Sequence, residues 1–181
     1  MMKKNLLLLL IAIAMITACT VSPRDAENNK IIDMEEQLAN DTTLVLDRST
    51  AVSLIKMYSD FASQFPEDTL AALYLFKAGE LSMNMNMGNQ AITYFTKVLN
   101  EYSKFDKRPE TIFLQAFVFE NQLKNEKRAT ELYQTFMDQY PDHILFKDAK
   151  ASIANMGKTL EEIIQGFEKQ NMKKEEFESS E

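Results

Sequence analysis

Cys19 is the only cysteine in the chain, and its position suggests a chemical role. Lys3 and Lys4 precede an apolar run from Leu6 to Ile16, and Thr17-Ala18-Cys19 follows it. A deprotonated thiol is a strong nucleophile, and with no second cysteine this one cannot close a disulfide within the chain. The apolar run falls well short of the about 20 residues needed to cross a bilayer and has the proportions of a signal-peptide core. An ordinary secretory signal with a chance cysteine, or a short anchor helix, would share those proportions. Other reactive groups are sparse. His143 is the lone histidine, in a loop after Pro141-Asp142. There is no glycine-rich phosphate loop and no GxSxG elbow. The many carboxylates fall opposite apolar helix stripes, where solvation explains them without an acid/base pair. Met83, Met85 and Met87 alternate, and thioethers suit copper(I). Residues spaced by two point to different sides of a helix, so packing or partner contact is the better reading. No catalytic residue, metal set or cofactor is assigned.

Ile16-Thr17-Ala18-Cys19 resembles a bacterial lipobox: an aliphatic residue, two small ones, then cysteine. The resemblance implies removal of residues 1–18 and a diacylglycerol on the Cys19 thiol, with a further acyl chain on its amine. Several acyl chains hold a protein firmly to a membrane, whereas one holds it marginally. Thr20 stands where an inner-membrane retention signal would place aspartate, so the resemblance favours the outer membrane. The periplasmic and surface faces both stay open. Asp25 and Glu27 suit either a surface-export signal or a polar linker.

Composition limits the partners. The formal charge is −7, and loss of Lys3 and Lys4 would make it more negative by two. Such a chain repels phosphate backbones, which argues against nucleic acid. Any membrane attachment must therefore come from the lipid. Four prolines and four glycines are few for 181 residues, and the abundant Leu, Ala, Met, Glu, Lys and Gln favour helix.

Residues 20–30 are polar and aperiodic, which predicts a flexible tether. A short helix is expected over Lys30–Ala39, with Ile31, Met34 and Leu38 on one side. A break at residues 40–43 and an extended segment at Leu44–Leu46 should follow. From Asp47 the chain repeats itself. Leu54–Pro66, Ala91–Ser103 and Ala129–Pro141 align without gaps, at offsets of 37 and 38 residues. Their apolar positions fall at i, i+4, i+7 and i+11, one face of a helix. Partner helices lie between them, and Leu75, Ala78, Gly79 and Ser82 line up with Phe113, Ala116, Phe117 and Glu120. Helix starts are expected near Asp68, at Pro109 and after Asn125. Thr159 to Glu162 reads as a capping box. A helix is expected over Asp142–Met156 and another over Thr159–Lys169, with Leu160, Ile163, Ile164 and Phe167 on one face.

This pairing resembles the tetratricopeptide repeat. Gly79, Ala91 and Phe95 match that family's small, alanine and aromatic positions in one repeat. Ala129, Tyr133 and Pro141 match them in the next, where Phe117 takes the place of the small residue. The longer period is similar to that of envelope lipoproteins of the superfamily, including outer-membrane assembly factors and the Tol–Pal-associated periplasmic coordinator. The resemblance implies an all-α, tetratricopeptide-like helical-hairpin solenoid with a C-terminal capping helix pair. Residues 1–18 would be the signal, 19–46 the lipidated tether and short helix, 47–169 the repeat domain and 170–181 a charged tail. It also implies that first helices line a partner-binding groove, here Phe76, Glu80 and Met83, then Leu114, Val118 and Asn121. The function implied is a non-catalytic scaffold of the bacterial envelope, binding an envelope protein from a membrane-anchored position. The alternative is a ligand- or glycan-binding lipoprotein of an uptake system.

Overall fold

A computed structural model describes residues 21–40 and 47–178. The segment before Val21, Cys19 included, and the Leu44–Leu46 segment lie outside the described residues. Among the described residues all regular structure is helical: α1 (Pro23–Asn40), α2 (Arg48–Gln64), α3 (Ala71–Asn84), α4 (Gly88–Glu101), α5 (Arg108–Asn121), α6 (Glu126–Gln139), α7 (Phe146–Asn155) and α8 (Leu160–Glu178). The chain divides into two compact units, one up to Ala71 and one from Ala72 onward.

In the first unit α1 packs against α2. Ile31 is buried, with Met34 and Leu38 partly buried, so the expected face holds. The expected tether does not, because α1 already begins at Pro23. Its start is capped: the Asp25 N–H donates to Ser22 Oγ at 3.0 Å, and that hydroxyl donates to Asp25 Oδ2 at 2.7 Å. Proline suits the first helical turn, where its missing N–H costs no hydrogen bond. Arg24 then forks onto Asp68, Nε to Oδ2 at 2.8 Å and Nη2 to Oδ1 at 3.1 Å. Its guanidinium also lies 5.7 Å from the centre of the Phe61 ring. The Arg24 hydrogen bonds hold the Asp68 carboxyl below its usual range. Polar residues that look like linker therefore serve as cap and cross-link. Asp47 caps α2 by accepting the Thr50 N–H at 2.8 Å.

The gapless alignment of α2, α4 and α6 is correct. Leu54, Ala91 and Ala129 are buried, as are Tyr58, Phe95 and Tyr133, and Phe61, Val98 and Phe136. Each of these helices ends at an aromatic, Phe65, Tyr102 or Tyr140, with φ of −128°, −122° and −134°. Proline at 66 and 141 disfavours helical geometry in the residue before it. Tyr102 adopts the same geometry before Ser103, so the linker itself sets the exit. All three linkers use one scheme. Asp68, Phe105 and His143 donate their N–H to the aromatic's carbonyl, and their own carbonyls accept from the first residue of the next helix, Ala71, Arg108 or Phe146.

The register of the first helices differs from expectation by one residue. Three residues separate α3 from α4, but four separate α5 from α6. Met87 N–H reaches back to Ser82 O, whereas Asn125 N–H reaches back to Phe119 O, one residue farther. Both turns hold a left-handed residue, Asn86 at φ 56° and Lys124 at φ 52°. The partner of Gly79 is therefore Ala116, which is fully buried, and Leu75 pairs with Ile112. The small position is filled by a small residue after all. Phe117 takes the place of Glu80 and is 38% exposed.

In the second unit, α5, α6 and α7 share a core of Ile112, Ala116, Ala129, Leu132, Tyr133, Phe136 and Ala149. Residues 142–145 form turns, so α7 starts later than expected. The Thr159 capping box forms as expected: Thr159 N–H donates to Glu162 Oε2 at 2.8 Å, and Glu162 N–H to Thr159 Oγ1 at 3.2 Å. The charged tail expected from residue 170 instead continues α8 to Glu178. Its Gln, Met, Lys and Glu residues are good helix formers, which outweighs their polarity. Ile163 is partly buried, but Leu160, Ile164 and Phe167 are exposed.

Candidate functional site

The packing positions of the second unit explain why its first helices stay in place. A Cβ on Gly79 would lie 2.4 Å from Phe95 Cε1, so the missing side chain is what admits the ring. Ala91, Phe95, Ala129 and Tyr133 are buried, and Pro141 is exposed just past the end of α6. Tyr133 donates its hydroxyl to Glu120 Oε2 at 2.7 Å, linking α6 to α5. Burial pushes the Tyr133 phenol above its ordinary range, so it stays a neutral donor. Gln115 Nε2 donates to Thr96 Oγ1 at 2.7 Å, and Gln122 Nε2 to Met83 O at 2.8 Å. Arg108 Nη1 donates to Leu99 O at 2.7 Å, satisfying a carbonyl in the last turn of α4.

The six residues expected on the groove separate into two groups. Phe76 and Val118 are buried and cannot present a surface. The Phe76 ring lies 6.1 Å from Phe95 and 5.8 Å from Phe105, with Lys107 Nζ 5.5 Å from its centre. Val118 was placed on the surface by the one-residue error in register, and Phe117 stands there instead. Glu80, Met83 and Leu114 are partly buried. Asn121 is exposed and donates from Nδ2 to Phe117 O at 3.1 Å.

Charged groups not anticipated from sequence surround Glu80. Burial pushes its carboxyl above the usual range, Lys107 and Lys77 oppose that shift, and Glu110 adds to it. Glu110 Oε1 stands 3.8 Å from His143 Nε2. The His143 ring packs edge-on against Phe136 with centroids 5.3 Å apart, and its Nδ1 accepts the Leu145 N–H at 3.2 Å. Periodicity flagged none of these, because polar residues on an exposed face carry no apolar signal. The face can offer hydrogen bonds, charge and apolar contact. Among the described residues no cluster of His, Cys, Asp or Glu has metal-site geometry.

The raised Glu80 carboxyl has a consequence for stability. A group whose folded pKa is raised adds its full share of stability below the unfolded pKa and loses it as pH rises through the folded pKa. At neutral pH the Glu80 carboxylate therefore disfavours the fold. Glu80→Gln is expected to raise the melting temperature at pH 7, and the gain should fade as pH falls below the carboxylate range. Melting curves across pH test this, and an equal gain at every pH would refute it.

No curated protein matches the chain. Two segments, residues 74–104 and 110–143, match the family model described as tetratricopeptide repeat. The first spans most of α3 and all of α4, and the second covers most of α5 and all of α6. The second unit thus carries two tetratricopeptide repeats, an architecture that typically serves as a non-catalytic scaffold for binding other proteins.

Proposed function

We propose that this chain is a protein-binding scaffold of the bacterial envelope, anchored by lipid on Cys19, that engages an envelope protein through the first helices of its repeats. Phe117 carries the reading: a large apolar ring left 38% exposed on α5, where the preceding repeat has Glu80. Aromatic and methionine side chains with nearby amides suit an adaptable protein interface. The lipobox-like segment supports the anchor, and confinement to one layer would raise the effective concentration of partners there. Outer-membrane assembly or coordination of envelope machinery would use such a part.

A photo-crosslinking residue in place of Phe117, in the full chain made by intact cells, tests the reading. One abundant envelope protein should be captured, and the yield should drop with Asn121→Ala. Cys19→Ala should shift the protein from the membrane to the soluble fraction and end its labelling by a fatty-acid probe. Continued labelling would sink the lipid anchor. The absence of any specific adduct in a correctly localised protein would sink the scaffold.

A further inference from the structure

The early start of α1 changes what an anchor on Cys19 would do. Thr20 and Val21 alone separate Cys19 from Ser22. Ser22 already belongs to the fold: its hydroxyl caps α1, and its carbonyl accepts the Ala26 N–H at 2.8 Å. Even fully extended, the chain from Cys19 to Ser22 spans only about 10 Å. That is little more than the depth of a headgroup layer, about 5–8 Å. The start of α1 is in turn tied to the rest of the first unit. Arg24 forks onto Asp68 and lies over Phe61 in the last turn of α2. Asp68 is itself fixed, accepting the Leu70 N–H at Oδ1 and donating its own N–H to Phe65 O. Farther along, Tyr58 donates its hydroxyl to Glu35 Oε1 at 2.6 Å and holds α2 to α1. The start of α1, the end of α2 and the linker at Asp68 therefore form one end of the unit.

We propose that this end of the first unit rests against the lipid headgroups of a bilayer. This relies on the Cys19 anchor proposed above, to which the fold of the first unit adds a place of contact. Chain length selects the occupant. A helix with its side chains is about 10–12 Å across, so an anchor with about 10 Å of reach leaves no room for another folded element between the lipid and α1. Val21, an apolar residue left 63% exposed, lies within that reach and suits the interface. Charge does not supply the contact. Arg24 is shared by Asp25 and Asp68, and the exposed Glu67 stands next to Asp68. An anionic surface gains nothing from such an end, so the covalent anchor is what holds it. The first unit stands on the membrane rather than hanging from a spacer, and a partner that touches it must itself lie at the bilayer surface.

Energy transfer to labelled headgroups tests this. The full chain carrying Glu67→Cys is acylated in the cells that make it, purified in detergent and placed in phosphatidylcholine vesicles containing a rhodamine-headgroup lipid. Acylation blocks the Cys19 thiol, so a donor dye joins position 67 alone. Transfer should be strong in this protein. It should fall severalfold when a Gly/Ser segment of about 24 residues, with an r.m.s. span of about 25–30 Å, is inserted between Val21 and Ser22. Should that insertion disturb α1 by circular dichroism, the segment goes between Thr20 and Val21 instead, and the same fall is required. Equal transfer in the two proteins overturns the proposal, because the short anchor would not be what holds this end. Weak transfer in a parent protein that floats with the vesicles also overturns it, and leaves the lipid anchor standing. A protein that takes dye at Cys19, or does not float with the vesicles, overturns the anchor and this inference with it.

Discussion

Gly79→Leu should destabilise the second unit strongly. The new Cβ alone would meet three atoms of the Phe95 ring, at 2.4, 2.6 and 2.9 Å. Phe95 is itself fully buried, so the ring has no open space to swing into. Overpacking of this kind typically costs about 1–3 kcal/mol and sometimes more. Leucine regains somewhat less helix propensity than the about 0.8–1 kcal/mol by which alanine exceeds glycine, and its Cγ and Cδ atoms extend the same clash. A net loss of about 2 kcal/mol or more is therefore expected, read as a lower denaturation midpoint at unchanged slope. Trimming the ring should restore part of it: Phe95→Leu in the Gly79→Ala background should cost less than the two single changes added together. Strict additivity, or a Gly79→Leu protein as stable as the parent, would mean that α3 and α4 do not meet at this point.

Tyr133→Ala is expected to have a larger effect still. The side chain is fully buried where α5, α6 and α7 share their core. Its ring lies 5.4 Å from Phe113 in an edge-on arrangement, and its hydroxyl holds Glu120. Truncating a buried aromatic to alanine costs about 3–5 kcal/mol, from lost transfer energy and the cavity left behind. In a chain of this size the melting temperature should fall by roughly 6–20 °C. Tyr133→Phe separates the two contributions. It keeps the ring and removes one hydrogen bond to a charged acceptor, so a loss of about 1.5–3 kcal/mol is expected. If Tyr133→Phe cost as much as Tyr133→Ala, the phenol–carboxylate contact would dominate and the packing account would fail.

Much of this was legible because the second helices present large apolar residues at a fixed spacing, where one face must be buried. Tyr58, Phe95 and Tyr133 stood out for that reason, and all three are core residues. The first helices were harder to read. Their apolar residues do not form one narrow stripe, so periodicity alone could not detect the extra residue in the turn before α6. A local sign was present. Asn125 is a good N-cap, and its side chain does accept the Arg128 N–H at 3.1 Å. Counting forward from the first two second helices, where Phe65 and Tyr102 lie 37 residues apart, would have paired Gly79 with Ala116 and exposed the shift. It would have exchanged Phe117 and Val118 between surface and core. The start of α1 was missed for another reason. Ser22, Arg24 and Asp25 stabilise the fold through hydrogen bonds, and Arg24 makes its bond with a residue 44 positions away. Hydrophobic pattern contains no record of such a pairing.

The three linkers between second and first helices share their backbone bonds and differ in the residue that makes them. Asp68 holds an arginine, Phe105 lies against Phe76, and His143 packs on Phe136 beside Glu110. A gene duplication with both breakpoints in linkers would insert a hairpin whose ends already match its neighbours. The reading frame of the helices would be undisturbed, and no new turn would have to evolve. The length of such a protein can therefore change by recombination in whole steps, while point mutation at one linker residue adapts each junction to whatever it has been joined to.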